Sequence, residues 1–480
     1  MEGEEFVKEI ASKDEAFSKW YVDVVKKADL ADYTSVKGCM VIKPYGYGLW
    51  ENMKQCLDQK IKATGHKNAY FPLFIPESLL TKEAEHVEGF APEVAWVTHG
   101  GTQKLEERLA VRPTSEAIIG SLYAKWIRSW RDLPILINQW ANIVRWEKVT
   151  RPFLRTTEFL WQEGHTAHKT QQEAEEETTK ILAIYRDYIE RDLAIPVIVG
   201  RKSMNEKFAG AMHTYTLEAL MGDGKILQAG TSHNLGQNFA KAFNIHFLDE
   251  NQKEQYVWTT SWGTSTRLVG GIIMVHGDER GLKLPPKVAP VQVVIIPILF
   301  DKTKQKVLNK ARALQAMLSK RFRVELDDRD EYTPGWKFNN WEMKGVPIRI
   351  EIGPRDLANG QVVLVRRDKG DKRKTKEDEL VEIVDHWLED IQNNLYMQAK
   401  NRLQENVRSA ADYEEFKQII EDKRGFVKAH WCGNEACEQQ IKKETKATIR
   451  CLPLEDEKQA GKCILCGKDS SSIVYFGRAY

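Results

Sequence analysis

The chain has 480 residues, 42% of them hydrophobic and 29% charged, with 71 Lys and Arg against 69 Asp and Glu. Its length suggests roughly three packed domains, and it holds no apolar run of the roughly 20 residues that a membrane-spanning helix needs. Charge this balanced excludes nucleic-acid binding through overall basicity, so such a partner would need a local basic surface.

Residues 1–5 are acidic and lack a hydrophobic signal region, which reads as a cytoplasmic start. Across residues 1–30, Phe6, Ile10, Phe17, Trp20 and Val24 mark an amphipathic helical arm. Residues 41–48 read as a strand and turn, and 49–63 as a helix with Trp50, Met53, Leu57 and Ile61 on one stripe. Residues 66–76 read as a strand interrupted by prolines, which implies an edge or a break. Pro113 and the capping types Thr114 and Ser115 open a helix over 113–128. There Glu116 either complements the helix dipole or, with Thr114, accepts hydrogen bonds from a small cationic ligand.

Residues 143–147 and 158–165 read as the arms of a strand hairpin around a polar loop, 148–157. Alternation puts Arg145 and Glu147 on one face of the first arm, and Phe159, Trp161, Glu163 and His165 on one face of the second. A face built only for packing would be Val, Ile and Leu; this one mixes charge with aromatic rings. A helix spans 170–192, with Glu173, Glu175, Glu176 and Glu177 as a solvated face. Strands follow at 195–200, 225–233 and 255–260, and Gln228, Thr231 and His233 form a polar set in the second. Residues 261–266, small apart from Trp262, precede an apolar helix to about Val275, an arrangement that lets phosphate approach backbone N–H groups, with Arg267 adding a mobile charge.

Residues 284–290 read as a linker. Beyond it, strands at 291–298, 323–327, 347–352 and 361–366 alternate with helices at 304–320 and 334–344, as in a compact α/β domain. Residues 366–376 read as a basic loop and 379–421 as one long helical stretch. Cys432 and Cys437 form one short pair and Cys463 and Cys466 another, which suits a single tetrahedral structural zinc ion; Cys451 is a rival fourth ligand. Cysteines concentrated in this way read as metal ligands rather than crosslinks.

Residues 112–116 (Arg-Pro-Thr-Ser-Glu), 145–147 (Arg-Trp-Glu), 159–165 (Phe-Leu-Trp-Gln-Glu-Gly-His) and 264–267 (Thr-Ser-Thr-Arg) together resemble the prolyl-tRNA synthetases, a family of class II aminoacyl-tRNA synthetases. Residues 68–74, with Pro72, look like motif 1, 145–165 like motif 2, and 263–267 like the core of motif 3. The cysteine-bearing C-terminus resembles the archaeal/eukaryotic type. So does the span from His165 to Gln228, too short for an ordinary editing domain.

The resemblance implies an α+β fold: an antiparallel-sheet catalytic domain over 1–283, a linker over 284–290, an α/β anticodon-binding domain over 291–395 and a zinc-binding α+β domain over 396–480. It implies a homodimer joined through motif 1, with ATP and Mg²⁺, L-proline and tRNA(Pro) as partners. Arg145 and Arg267 would be catalytic, Arg145 bridging the proline carboxylate and the α-phosphate and Arg267 holding the γ-phosphate. Thr114, Glu116, Trp161, Glu163, Phe208 and His233 would complete the proline pocket. Glu147, Arg155, Thr156, Phe159, Gln228 and Thr231 would bind the nucleotide, and acids on the Glu218 or the Gln228 side would meet the magnesium, with no ligand assigned. Trp336, Lys337, Lys344 and Arg349 would meet the anticodon. A threonine or serine enzyme is the nearest rival; a non-catalytic synthetase-like protein is disfavoured because both motif arginines are kept.

Overall fold

The computed structural model describes residues 10–86, 93–454 and 459–480; residues 1–5 and Phe6, read above as an acidic start and part of an arm, lie outside them. An eleven-stranded sheet dominates it. In spatial order the strands are Val407–Ser409, Phe426–His430, Ile473–Arg478, Ala447–Pro453, Val197–Arg201, His213–Leu220, Ile226–Gly236, Trp258–Ser265, Glu158–His168, Ile135–Val144 and Lys67–Asn68. Pairing is antiparallel except at the two outermost contacts. The C-terminal strands thus continue the sheet of the hairpin: Leu452 and Pro453 pair with Arg201 and Gly200. Only glycine fits at 200, where a Cβ would come within 2.3 Å of the Leu452 carbonyl oxygen.

Behind the hairpin, residues on the face opposite Phe159 and Trp161 meet the helix Gln171–Asp187. Its Tyr185 hydroxyl donates to Gln162, and the Trp262 indole fills the space a Cβ on Gly164 would take. The helix Arg267–His276 is buried from Leu268 onward, so its first residue alone faces the other way. Together with Trp20, Trp50 and Ile189 these elements form the main core.

A second sheet has five strands, Val324–Leu326, Val293–Pro297, Ile348–Ile352, Gln361–Arg366 and Lys372–Lys376. Its first two contacts are parallel and the rest antiparallel. The helices Lys304–Leu318 and Leu380–Glu405 complete its core. Residues 284–290, expected to be a linker, are packed: Leu284, Val288 and Ala289 are buried, and Asn52 and Arg323 donate to carbonyls along the segment.

Several elements differ from the expectation. A helix begins at Pro44, where a turn was expected, because proline suits a first helical turn and Gly46 lets the Leu30 backbone approach. The strand over 66–76 is two short pieces in different sheets, separated at Pro72. The helix after Pro113 starts only at Glu116, since the Ser115 hydroxyl turns to Glu163 instead of capping. Residues 379–421 break at Glu405 into a strand and a short helix. The basic loop ends in an edge strand, Lys372–Lys376, whose lysines discourage pairing with another chain. Glu177 is buried against His66 and Lys180, and Glu175 accepts hydrogen bonds from His213, Tyr215 and Asn234, so neither belongs to a solvated face. No helix among the described residues is long and apolar enough to cross a membrane.

Candidate active site

The hairpin register pairs Ile143 with Phe159, Ala141 with Trp161, Gln139 with Glu163 and Ile137 with His165. The first arm ends at Val144, so Arg145 and Glu147 lie past the strand rather than on it. Arg145 is still held, its backbone N–H donating to Thr157 and its Nε to the Pro113 carbonyl at 2.9 Å. Its guanidinium lies 5.6 Å from the Phe159 ring centre and 5.5 Å from that of Trp161.

A cavity of about 320 Å³ opens over this face. Around it the fold collects Thr114, Glu116, Arg145, Trp161, Glu163, Phe208 and His233, together with Phe159, Gln228, Thr231 and Arg267. Arg267 is anchored by its Nε to the Leu154 carbonyl. Burial, then the neighbouring cations Arg145, Arg450 and Arg155, push its pKa down to about 10. Burial likewise lowers that of Arg145, against the pull of Glu116, Glu163 and Glu147. Two half-buried guanidiniums thus converge on one cavity at an electrostatic cost that an anion would relieve.

Beside Arg145 the lining is carboxylate and hydroxyl. Thr114 donates to Glu116. Glu163 accepts from Ser115, Gln139 and His165. Burial would raise the Glu163 pKa, but His165, Ser115 and Gln139 bring it below the ordinary value. Burial would lower that of His165, yet Glu163 and Glu116 leave it raised. His233 is held near 3 by burial and by His165, so it is neutral at physiological pH. Its two ring nitrogens are taken by Thr214 and Thr231, and the Phe208 ring lies against it with centroids 4.7 Å apart. Trp161 Nε1 and Ser261 Oγ, both buried on the cavity wall, have no partner among the described residues. Ordered water or a bound molecule would satisfy such groups.

Other expected residues lie elsewhere. Glu147 and Arg155 pair with each other at 2.7 Å in the loop, outside this cavity. Thr156 lines an adjacent cavity that shares Phe159. Glu218 is fully buried between Lys202 and Arg450, leaving it no free oxygen for magnesium. Among the four residues expected at an anticodon, only Trp336 is exposed; it stacks on Tyr332 at 4.0 Å, with Arg329 over both rings. Lys337 is buried and donates to the Asp327 carbonyl, Lys344 pairs with Asp29 after the first helix, and Arg349 is locked between Glu351 and Glu342. These three cations are spent inside the protein.

Ser115, Gln139, Lys202 and Thr214, which support the cavity, were not expected. The strand His213–Leu220 escaped notice because Thr214, Thr216 and Glu218 do not read as a core face; the β-branched residues Thr214 and Thr216, two apart, were the available signal.

The Sγ atoms of Cys432, Cys437, Cys463 and Cys466 all lie within 4.8 Å of one another. Cys432 is 3.7 Å from Cys437 and 3.8 Å from Cys466. Four thiolates about 2.3 Å from one tetrahedral zinc stand about 3.8 Å apart, so the set fits that ion without an open position. Cys451 is buried beside Gly200 and outside the cluster. Burial, with the nearby Glu218 charge, raises its thiol pKa to about 12.

Residues 96–276 match the class II core domain shared by tRNA synthetases (G, H, P, S and T), residues 292–387 an anticodon binding domain, and residues 413–480 the prolyl-tRNA synthetase C-terminal domain. The chain is 62% identical over 479 residues to a proline–tRNA ligase of Natranaerobius thermophilus, covering 99% of both chains. It belongs to the proline–tRNA ligase family. A relative named proline–tRNA ligase from Alkaliphilus oremlandii is 60% identical over 99% of both chains, and one from Ruminiclostridium cellulolyticum 58% over 99% of this chain and 98% of its own. Within this proline–tRNA ligase framework, the class II core match ends at the helix carrying Arg267, and the C-terminal match contains the strands Phe426–His430, Ala447–Pro453 and Ile473–Arg478 of the same sheet.

Proposed function

We propose that the cavity is where L-proline and ATP are condensed to prolyl-adenylate, and that the prolyl group then passes to the 3′ end of tRNA(Pro). The convergence of half-buried Arg145 and Arg267 on a cavity that Glu116, Thr114 and Glu163 also line carries this reading. The proline carboxylate attacks the α-phosphorus and pyrophosphate leaves; two anions must meet, so fixed positive charge is the main need. Arg145 bridges the carboxylate and α-phosphate, and Arg267 takes the γ-phosphate. Phe159 stacks on adenine, with Thr156, Gln228 and Thr231 along the nucleotide. Glu147 and Arg155, paired in the loop, close over it. Thr114 and Glu116 accept from the secondary ammonium, while Trp161, Phe208 and neutral His233 shape the slot for the pyrrolidine ring. In the second step the ribose hydroxyl attacks the prolyl carbonyl and AMP leaves. Orientation and charge suffice; no covalent enzyme intermediate is needed.

Mg²⁺ bound with ATP would neutralise phosphate charge. Cys432, Cys437, Cys463 and Cys466 would hold a structural zinc. We assign the catalytic unit to 1–283 and anticodon binding to 291–395, with Trp336 as the base-stacking residue, and a cytoplasmic setting follows from work in translation. Exposed Tyr70, Phe74 and Trp126 near motif 1 support a homodimer through that surface. We assign the chain to the archaeal/eukaryotic type on the strength of its short link between motifs 2 and 3. Residues 169–225 form one helix with its terminal turn and two strands of the sheet, with no inserted domain, although the relatives compared are bacterial.

Arg145→Ala should abolish proline-dependent ATP–pyrophosphate exchange while the protein stays folded by circular dichroism. Retained exchange, or exchange supported equally by threonine or serine, would overturn the assignment.

A further inference from the structure

The turn 203–207 leads into Phe208, which closes one side of the cavity against His233. Ser203 organises that turn: its carbonyl accepts from the N–H groups of Glu206 and Lys207, and its hydroxyl accepts from Glu206 as well. Phe208 N–H then donates to Thr214 Oγ1, the same atom that holds His233 Nδ1. What fixes Ser203 lies far along the chain. Its hydroxyl donates to Glu438 Oε1 at 2.6 Å, and Asn205 Nδ2 donates to Glu438 Oε2 at 3.0 Å. Ser203 and Glu438 are both buried. Lys442, one helical turn on, pairs with Glu206 at 2.9 Å.

Glu438 lies in the first turns of the helix Glu435–Thr445, directly after Cys437. Cys437 is one of the four clustered thiols, so whatever binds that cluster also fixes the azimuth of the helix start. The pairing of Leu452 and Pro453 with Arg201 and Gly200 sets the distance between the two bodies.

We propose that Glu438 is a positioning residue for proline recognition: the cysteine-anchored helix grips the turn 203–207 and thereby holds Phe208 against His233. The metal cluster and the amino-acid pocket are then coupled through one carboxylate. This rests on the assignment of Phe208 and His233 to the proline pocket.

The test compares the full-length enzyme with Glu438→Ala, Glu438→Gln, Ser203→Ala and Phe208→Ala. Pyrophosphate exchange gives the KM for proline and for ATP, metal analysis gives zinc content, and hydrogen-exchange mass spectrometry follows residues 203–208. Loss of hydrogen bonds to a buried carboxylate should raise the KM for proline about tenfold in Glu438→Ala, leave the KM for ATP in place and keep zinc bound. Ser203→Ala should do the same from the other side, and Glu438→Gln, which keeps an oxygen for Ser203, should recover part of the loss. Exchange at 203–208 should quicken in Glu438→Ala and equally in wild type stripped with a chelator. Phe208→Ala separates the two claims. If it leaves the KM for proline unchanged, the pocket assignment fails. If it raises that KM while Glu438→Ala and Ser203→Ala alter neither KM nor exchange, the coupling fails and the pocket stands. A parallel rise of both KM values in the Glu438 variants would also overturn the positioning role.

Discussion

Glu218→Gln tests how firmly the C-terminal strands are fastened to the catalytic sheet. The Glu218 carboxylate has no solvent exposure. One oxygen accepts from Lys202 at 2.7 Å and from Thr216 at 2.6 Å; the other accepts from Arg450 Nε at 3.0 Å and Nη2 at 2.6 Å. Burial alone would raise its pKa, but Arg450 and Lys202 bring it from 4.5 to about 2. That fall is worth roughly 3 kcal/mol of folding stability. The folded value is depressed, so the contribution is complete above the ordinary carboxylate pKa and fades as pH drops toward 2. Gln at 218 leaves two buried cations facing each other, a change that typically costs about 3–5 kcal/mol. Thermal unfolding at pH 7 should show a Tm lower by roughly 3–5 °C, with the gap to wild type narrowing as pH approaches 3. Lys202→Met should cost less, because the bidentate Arg450 pair survives. A Glu218→Gln protein melting within about 1 °C of wild type at pH 7 would refute the argument.

Metal analysis should find about one zinc per chain; Cys466→Ser should lower that content and Cys451→Ala should not. Trp336→Ala should weaken tRNA binding by about 1–3 kcal/mol, the usual worth of one base–aromatic stack, with proline activation unchanged in the exchange assay. His276 is buried with its Nε2–H on the Leu193 carbonyl, and burial pushes its pKa down to about 3. The unfolded chain therefore takes up this proton first, and stability should fall by roughly 2 kcal/mol between pH 6.5 and 5. Denaturation curves across that range should steepen this loss in wild type and flatten it in His276→Gln.

The hairpin face was readable because strand alternation is local: Phe159, Trp161, Glu163 and His165 needed only their spacing to be placed together. The end of the first arm was not, since Arg145 keeps a strand-like hydrogen bond to Thr157 after the ladder has stopped. The thiol pairs were legible from short spacing, but only the folded chain separates Cys451 from them. Lys337, Lys344 and Arg349 looked like free cations because their partners Asp327, Asp29 and Glu342 come from other elements. The strand His213–Leu220 was hidden because its polar residues are satisfied from afar, Glu218 by Arg450 and Thr214 by His233.

The shared sheet has a practical consequence for anyone wishing to work with a smaller protein. The rim of Val197–Arg201 is shielded at Gly200 and Arg201 by a strand supplied from the far end of the chain. Trimming that end away would bare main-chain donors and acceptors beside the substrate cavity, a ready template for self-association. A minimal fragment for inhibitor screening would therefore have to retain the cysteine-bearing terminus.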